Sequence, residues 1–131
     1  MNIGKASKLS GVTAKTIRYY EEIGLITPAS RKTNGYRDYA DNDVSTLQFI
    51  QRTRNLGFSL KDTGNLVTLW RDQHRASADV KSLALNHIHE IELRIEELQE
   101  VRDTLVDLTK KCHGDDRPDC PILQGLSNNQ N

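Results

Sequence analysis

The run from about Asp79 to Lys110 limits what this chain can fold into more than any other stretch. Val80, Ala84, His87, Ile91, Arg94, Leu98, Val101, Leu105 and Leu108 follow in alternating steps of four and three, the a/d seam of a heptad. Seven of those nine positions are apolar, and no Pro or Gly interrupts the run. The outer positions carry Glu90, Glu92, Glu96, Glu97, Glu100, Arg102 and Asp103. At helical rise, some 32 residues make a rod of roughly 48 Å. One narrow seam on a rod that long has too little of its own chain to pack against, and its other faces are charged. The expectation is a homodimer through a coiled coil with a second copy, parallel or antiparallel. The alternative is a long helix lying on its own domain.

The chain has 131 residues, room for one small domain and the rod. Its zero net charge hides a dipole. Residues 1–75 hold 12 Lys and Arg against 7 Asp and Glu, and residues 76–131 hold 6 against 11. No apolar run reaches membrane length, and Met1-Asn2-Ile3-Gly4-Lys5 lacks the apolar core of a signal peptide. The expectation is a cytoplasmic protein with no membrane partner, whose two cysteines are thiols rather than a structural disulfide.

The basic half reads as a helix-turn-helix. Ile3 to Ser10 forms a first short helix that Gly11 ends, and Thr13 caps a second from Ala14 to Glu22. The second helix interleaves cations and aromatics, Lys15, Arg18, Tyr19 and Tyr20, which suit phosphate contact, base edges and sugars. Next, Arg31-Lys32-Thr33-Asn34-Gly35-Tyr36-Arg37 predicts a basic hairpin, with Asn34-Gly35 as a two-residue turn tolerant of positive φ. A basic hairpin after a helix-turn-helix is a wing that follows the DNA backbone. Without DNA, the same residues make a soluble helical hairpin and a solvated turn.

Asp41 is read as the cap of a third helix through about Leu56, built on Val44, Leu47, Ile50 and Leu56. Ser59-Leu60-Lys61-Asp62 resembles a capping box opening a fourth helix to about Trp70. Arg52 and Arg54 can reach a second phosphate patch, or serve as surface charges. The polar stretch after Arg71 reads as a hinge, with Ser77 capping the rod.

Three segments carry a resemblance. Ile17-Arg18-Tyr19-Tyr20-Glu21-Glu22-Ile23-Gly24-Leu25, then Asn34-Gly35-Tyr36-Arg37-Asp38-Tyr39, then Leu56-Gly57-Phe58-Ser59-Leu60 resemble the MerR family of bacterial transcription regulators. The ending, Cys112-His113-Gly114-Asp115-Asp116-Arg117-Pro118-Asp119-Cys120-Pro121-Ile122, is similar to one branch, the copper-responsive CueR-type activators. His113, Arg117 and Pro118 depart from the usual loop, so Cu(I), Ag(I) and Au(I) all stay open. Divalent-metal sensors of the family typically carry a cysteine where this chain has Ser77. The resemblance implies a homodimer on promoter DNA that represses without metal. On binding metal it distorts the DNA so that RNA polymerase initiates at copper efflux or detoxification genes.

The loop residues themselves narrow the chemistry. Two thiolates with no third soft donor are poor for zinc, which normally takes four ligands. Asp115, Asp116 and Asp119 are hard oxygen donors, and His113 adjoins Cys112 too closely to converge with it. Soft thiolates select Cu(I), and a monovalent d¹⁰ ion is content with two sulfurs, so one ion is expected per two-cysteine loop. Lys81, near the start of the rod, could supply positive charge to that anionic complex from the dimer partner. On spacing alone, a metal site, a disulfide and inert thiols all remain open. No phosphate loop or catalytic constellation supports an enzyme.

The expected architecture is therefore mainly α: a winged helix-turn-helix DNA-binding domain, a long dimerisation helix in an antiparallel coiled coil, and a C-terminal metal-binding loop. The boundaries are 1–70 for the DNA-binding domain, 71–78 for the hinge and 79–110 for the dimerisation helix. The loop and a short helix take 111–126, and a flexible tail takes 127–131. The metal ligands are Cys112 and Cys120, with Ser77 and Lys81 beside them. The DNA contacts are Lys15, Arg18, Tyr19, Tyr20, Arg31, Tyr36, Arg37 and Arg54. Two other readings stay open: a thiol-redox or organic-ligand sensor on the same scaffold, and a coiled-coil protein that binds DNA without a signal.

Overall fold

Asn2 opens the first helix by accepting the Lys5 N–H on its side chain at 2.9 Å. Helix α1 (Ile3–Ser10) then stops at Gly11, whose φ of 78° lets its N–H reach the Ser7 carbonyl. Thr13 caps α2 (Ala14–Glu22) through the Thr16 N–H at 3.1 Å. Strands β1 (Ser30–Arg31) and β2 (Arg37–Asp38) pair antiparallel, and α3 (Asp41–Asn55) and α4 (Leu60–Arg71) follow. The long helix α5 runs Ser77–Lys111, and α6 covers Pro121–Ser127. The computed structural model describes residues 1–118 and 120–127. Of the tail expected at 127–131, only Ser127 is therefore described, and it belongs to α6.

Two local readings shift by a residue. The α3 cap is Ala40, not Asp41: the Asp43 carboxylate accepts the Ala40 N–H at 2.8 Å, so an acidic residue inside the first turn serves the end of the helix. Leu56, read as part of the apolar face of α3, falls beyond the helix end and is 67% exposed. Ser59 does cap α4, accepting the Asp62 N–H at 3.0 Å. Between α4 and α5 the chain carries local hydrogen bonds. Asp72 accepts the His74 N–H at 2.8 Å, and the Arg75 guanidinium donates to the Trp70 and Asp72 carbonyls. Helix α5 begins at Ser77 and ends at Lys111, slightly longer at each end than the seam indicated.

The chain divides into two compact units, Met1–Leu83 and the part from Ala84 onward. In the first, α1 packs on α2 and α3, and α3 on α4. Their inward residues Ala6, Val12, Ile17, Tyr20, Ile26, Tyr39, Val44, Leu47, Ile50 and Val67 form one core. In the second, no residue of α5 is buried. Ile88, Ile91, Ile95, Leu98, Val101 and Leu105 form an exposed apolar stripe along it. Ile88 and Ile95 stand four residues after Ala84 and Ile91, so the stripe is broader than the seam drawn through His87 and Arg94. At the far end of α5, α6 approaches closely: a Cβ added at Gly125 would sit 2.6 Å from Leu108 Cδ2. Among the described residues no helix is long and apolar enough to cross a membrane.

Candidate functional site

Helix α2 sorts its side chains by face. Ile17, Tyr20 and Glu21, spaced at three and four residues, point into the unit. Lys15, Arg18 and Tyr19 are exposed on the opposite side. Tyr20, expected among the DNA contacts, is 6% exposed and is a core residue. Its ring supports α2 from behind and leans on Tyr19 with centroids 6.2 Å apart.

The hairpin carries the next group. Ser30 pairs with Asp38 and Arg31 with Arg37. The Lys32 N–H donates to the Tyr36 carbonyl at 2.8 Å, and the Gly35 N–H to the Lys32 carbonyl at 2.9 Å. The turn is thus a three-residue loop closed by Gly35 at φ 84°, not a two-residue Asn-Gly turn, and Asn34 keeps a negative φ. Asn34 acts through its side chain, accepting the Tyr36 N–H at 3.1 Å. Arg31 Nη1 donates to the Gly35 carbonyl at 3.0 Å, and Tyr36 stands out, 72% exposed.

Hairpin and helix enclose a basic concavity of about 570 Å³ whose walls include Arg18, Arg31, Lys32, Tyr36 and Arg37. That is a surface of cations with an aromatic at its rim, suited to a phosphate backbone. A larger cavity of about 730 Å³, between Ile23–Thr27 and one face of α4, mixes apolar walls with Lys61, Arg71 and Asp72. None of the expected contacts lines it. Arg54 is exposed at the end of α3, where its guanidinium donates to the Phe58 carbonyl.

Behind the basic surface lies a buried carboxylate that sequence reasoning missed. Glu21 accepts the Tyr39 hydroxyl on Oε1, and its Oε2 lies 3.4 Å from Arg37 Nε. The signal was present: Glu21 stands four residues after Ile17, on the inward face of an otherwise basic helix. Tyr39, 2% exposed, has its phenol pushed well above the ordinary value of 10.0. Burial is the main cause, then the hydrogen bond to Glu21 and its charge, with Arg37 and Arg18 pulling the other way. A raised folded-state value gives stability that is fully present below about pH 10 and is lost as the pH climbs above it. Melting temperature against pH should therefore fall less steeply above pH 10 in Tyr39→Phe than in the native chain. Equal slopes would show that the buried phenol does not report the fold.

The two thiols sit at the ends of neighbouring elements of the second unit. Cys112 follows α5, its N–H donating to the Thr109 carbonyl at 3.2 Å. Cys120 precedes α6, and its carbonyl accepts the Gln124 N–H at 3.0 Å. Both are free and half-buried. His113 is exposed beside Cys112, and Arg117 pairs with Asp115 at 2.8 Å. Asp119, counted among the loop's oxygen donors, lies outside the described residues. Among the described residues no group of three or more His, Cys, Asp and Glu side chains is gathered to hold a metal. Ser77 and Lys81, both exposed, lie in the first turns of α5 and belong to the first unit.

Comparison with known proteins matches residues 1–68 to the family model described as MerR HTH family regulatory protein, and residues 44–108 to that described as MerR, DNA binding. The chain is 58% identical over 128 residues to heavy metal-dependent transcription regulator 2 of Rhizobium meliloti, covering 98% of this chain and 87% of that one. It is 47% identical to the HTH-type transcriptional regulator CueR of Escherichia coli O6:H1, covering 97% and 94%. Among solved structures, the transcription regulator PbrR691 of Ralstonia metallidurans, in complex with lead(II), superposes with a TM-score of 0.84. Its identity is 28%, covering 97% of this chain and 99% of that one.

Proposed function

Because the chain belongs to the MerR family of helix-turn-helix transcription regulators, we propose that it is a metal-responsive activator working as a homodimer on promoter DNA. Its signal is Cu(I), or Ag(I) or Au(I), taken by Cys112 and Cys120, and its targets are copper efflux or detoxification genes. The observation that carries the sensing half is the pair of free, half-buried thiols bracketing one short loop. Two soft sulfurs, with no third ligand gathered beside them among the described residues, suit a two-coordinate monovalent ion better than zinc. The names of the heavy metal-dependent and CueR relatives support the same reading.

Each group has a role in it. Lys15, Arg18, Arg31 and Arg37 hold phosphates, Tyr19 and Tyr36 pack on sugar and backbone, and Arg54 reaches a further phosphate. The α5 stripe joins two copies antiparallel, so that two basic surfaces meet two half-sites. In the dimer, Ser77 of the second copy offers a hydroxyl where a third thiolate would admit divalent ions, and Lys81 of that copy offsets the net negative charge of a bis-thiolate site. Closing the loop is read at the promoter as a DNA distortion that lets RNA polymerase engage.

The test is transcription in vitro from the cognate promoter. Cu(I), Ag(I) or Au(I) raises output and Zn(II) does not. Output raised by an oxidant without metal moves the protein to the thiol-redox class. A footprint indifferent to sequence makes it a DNA-binding coiled-coil protein without a signal.

A further inference from the structure

We propose that Glu21 is a positioning residue of the DNA interface: its buried carboxylate holds Arg37 by Nε, and so anchors the hairpin to α2 while leaving both terminal nitrogens of Arg37 for a phosphate. The proposal rests on the DNA-binding reading and deepens it.

The hairpin cannot hold itself. Its strands are two residues each, too short for independent stability in water. Arg31 and Arg37 are directly opposed across the ladder, a like-charge pair that pushes the strands apart. The structure gives each arginine a separate partner, a carbonyl for one and a carboxylate charge for the other. Arg31 turns along the loop to the Gly35 carbonyl, and Arg37 turns inward to Glu21.

Glu21 in turn needs both of its partners. Its side chain is 3% exposed in the last turn of α2, where desolvation and the negative end of the helix both disfavour a carboxylate. Tyr39 serves Oε1. Among the described residues Oε2 has no hydrogen-bond partner, and Arg37 Nε at 3.4 Å is a charge partner. Arg18 stands three residues earlier on the same helix, and Arg18, Glu21 and Arg37 line one recess. One carboxylate therefore lies behind two of the cations offered to DNA, one on α2 and one on β2.

Arginine is suited to this double duty. Its guanidinium offers Nε on one edge and the two terminal nitrogens on another, which a lysine ammonium cannot do. At 33% exposure the Arg37 side chain is neither free nor sealed, as a group shared between carboxylate and phosphate requires.

The experiment titrates a duplex carrying the cognate promoter at several salt concentrations. It compares the full-length native chain with Glu21→Gln, Arg37→Ala, the double variant and Arg37→Lys. Glutamine keeps an amide oxygen for the Tyr39 hydroxyl but gives Arg37 no carboxylate. Glu21→Gln should weaken binding on the order of tenfold, the scale of one hydrogen bond to a charged group. The slope of log affinity against log salt should drop by about 0.9, one phosphate contact. The double variant should match Arg37→Ala alone, since the carboxylate acts through that arginine. A merely structural role would lower the melting temperature and leave the slope alone.

Native affinity and slope in folded Glu21→Gln overturn the proposal, and so does a double variant clearly worse than Arg37→Ala. Should Glu21→Gln fail to fold, Arg37→Lys decides. It keeps the charge but cannot serve two edges, so native affinity and slope there overturn the proposal equally. Failure of the native chain to bind the promoter is a different result, which removes the DNA-binding reading itself.

Discussion

Cys112→Ser and Cys120→Ser should each lose metal-dependent activation entirely while keeping promoter affinity and repression. A two-coordinate site has no spare ligand, so removing one sulfur removes the site. A serine hydroxyl is a hard, protonated donor with little affinity for a soft monovalent ion. The double variant should resemble either single one, because groups that act as a unit give non-additive losses. DNA binding should survive, since both thiols belong to the second unit and the basic surface to the first. The hydrogen bonds at the loop ends use the backbone of Cys112 and Cys120, so serine leaves them in place. His113→Ala should keep activation, as its side chain is exposed and is no proposed ligand. The measurements are promoter output and metal stoichiometry, expected at one ion per loop in the native chain and none in the variants. Full copper activation in either single variant would overturn the thiol site and return the protein to the thiol-redox or organic-ligand reading.

What could be read from the chain alone was whatever its local chemistry decides. The Thr13 and Ser59 caps and the stop at Gly11 depend on residues within a turn of one another, and all stand where they were read. The hairpin was legible, but its loop type was not. Asn-Gly suits a two-residue turn, yet the ladder continues to Lys32 and Tyr36, and only Gly35 takes a positive φ. Tyr19 and Tyr20 are neighbours of one composition. Their opposite fates follow from the phase of α2 against Ile17, which a reading of cations and aromatics alone passes over. The Glu21–Arg37 link spans 16 residues, has no local signature and appears only when hairpin and helix meet. The thiol spacing was plain in the sequence, whereas the half-burial of both thiols is seen only in the fold.

Leu98→Asp should convert the protein to monomers without unfolding its first unit. Leu98 is 52% exposed in the single chain and lies mid-stripe between Ile91, Ile95, Val101 and Leu105. In one chain an aspartate there sits in water and costs little. In a dimer built on that stripe it removes an apolar group worth about 1.5–3 kcal/mol of burial from each copy. It also places a carboxylate in the seam twice over, at several kcal/mol per desolvated ion. Together these exceed what a single stripe can return, so association should fail at micromolar concentration. The control is Leu93→Asp. Leu93 is exposed to a similar extent, at 46%, but stands five residues from Leu98 on another face of α5, so that variant should stay dimeric. Sedimentation gives the oligomeric state and a melting curve the integrity of the first unit. A footprint gives the consequence: a monomer meets one half-site and loses the affinity that two linked contacts supply. A Leu98→Asp protein that sediments as a dimer and still protects the promoter would move the interface off this stripe and return α5 to the role of a solvated helix.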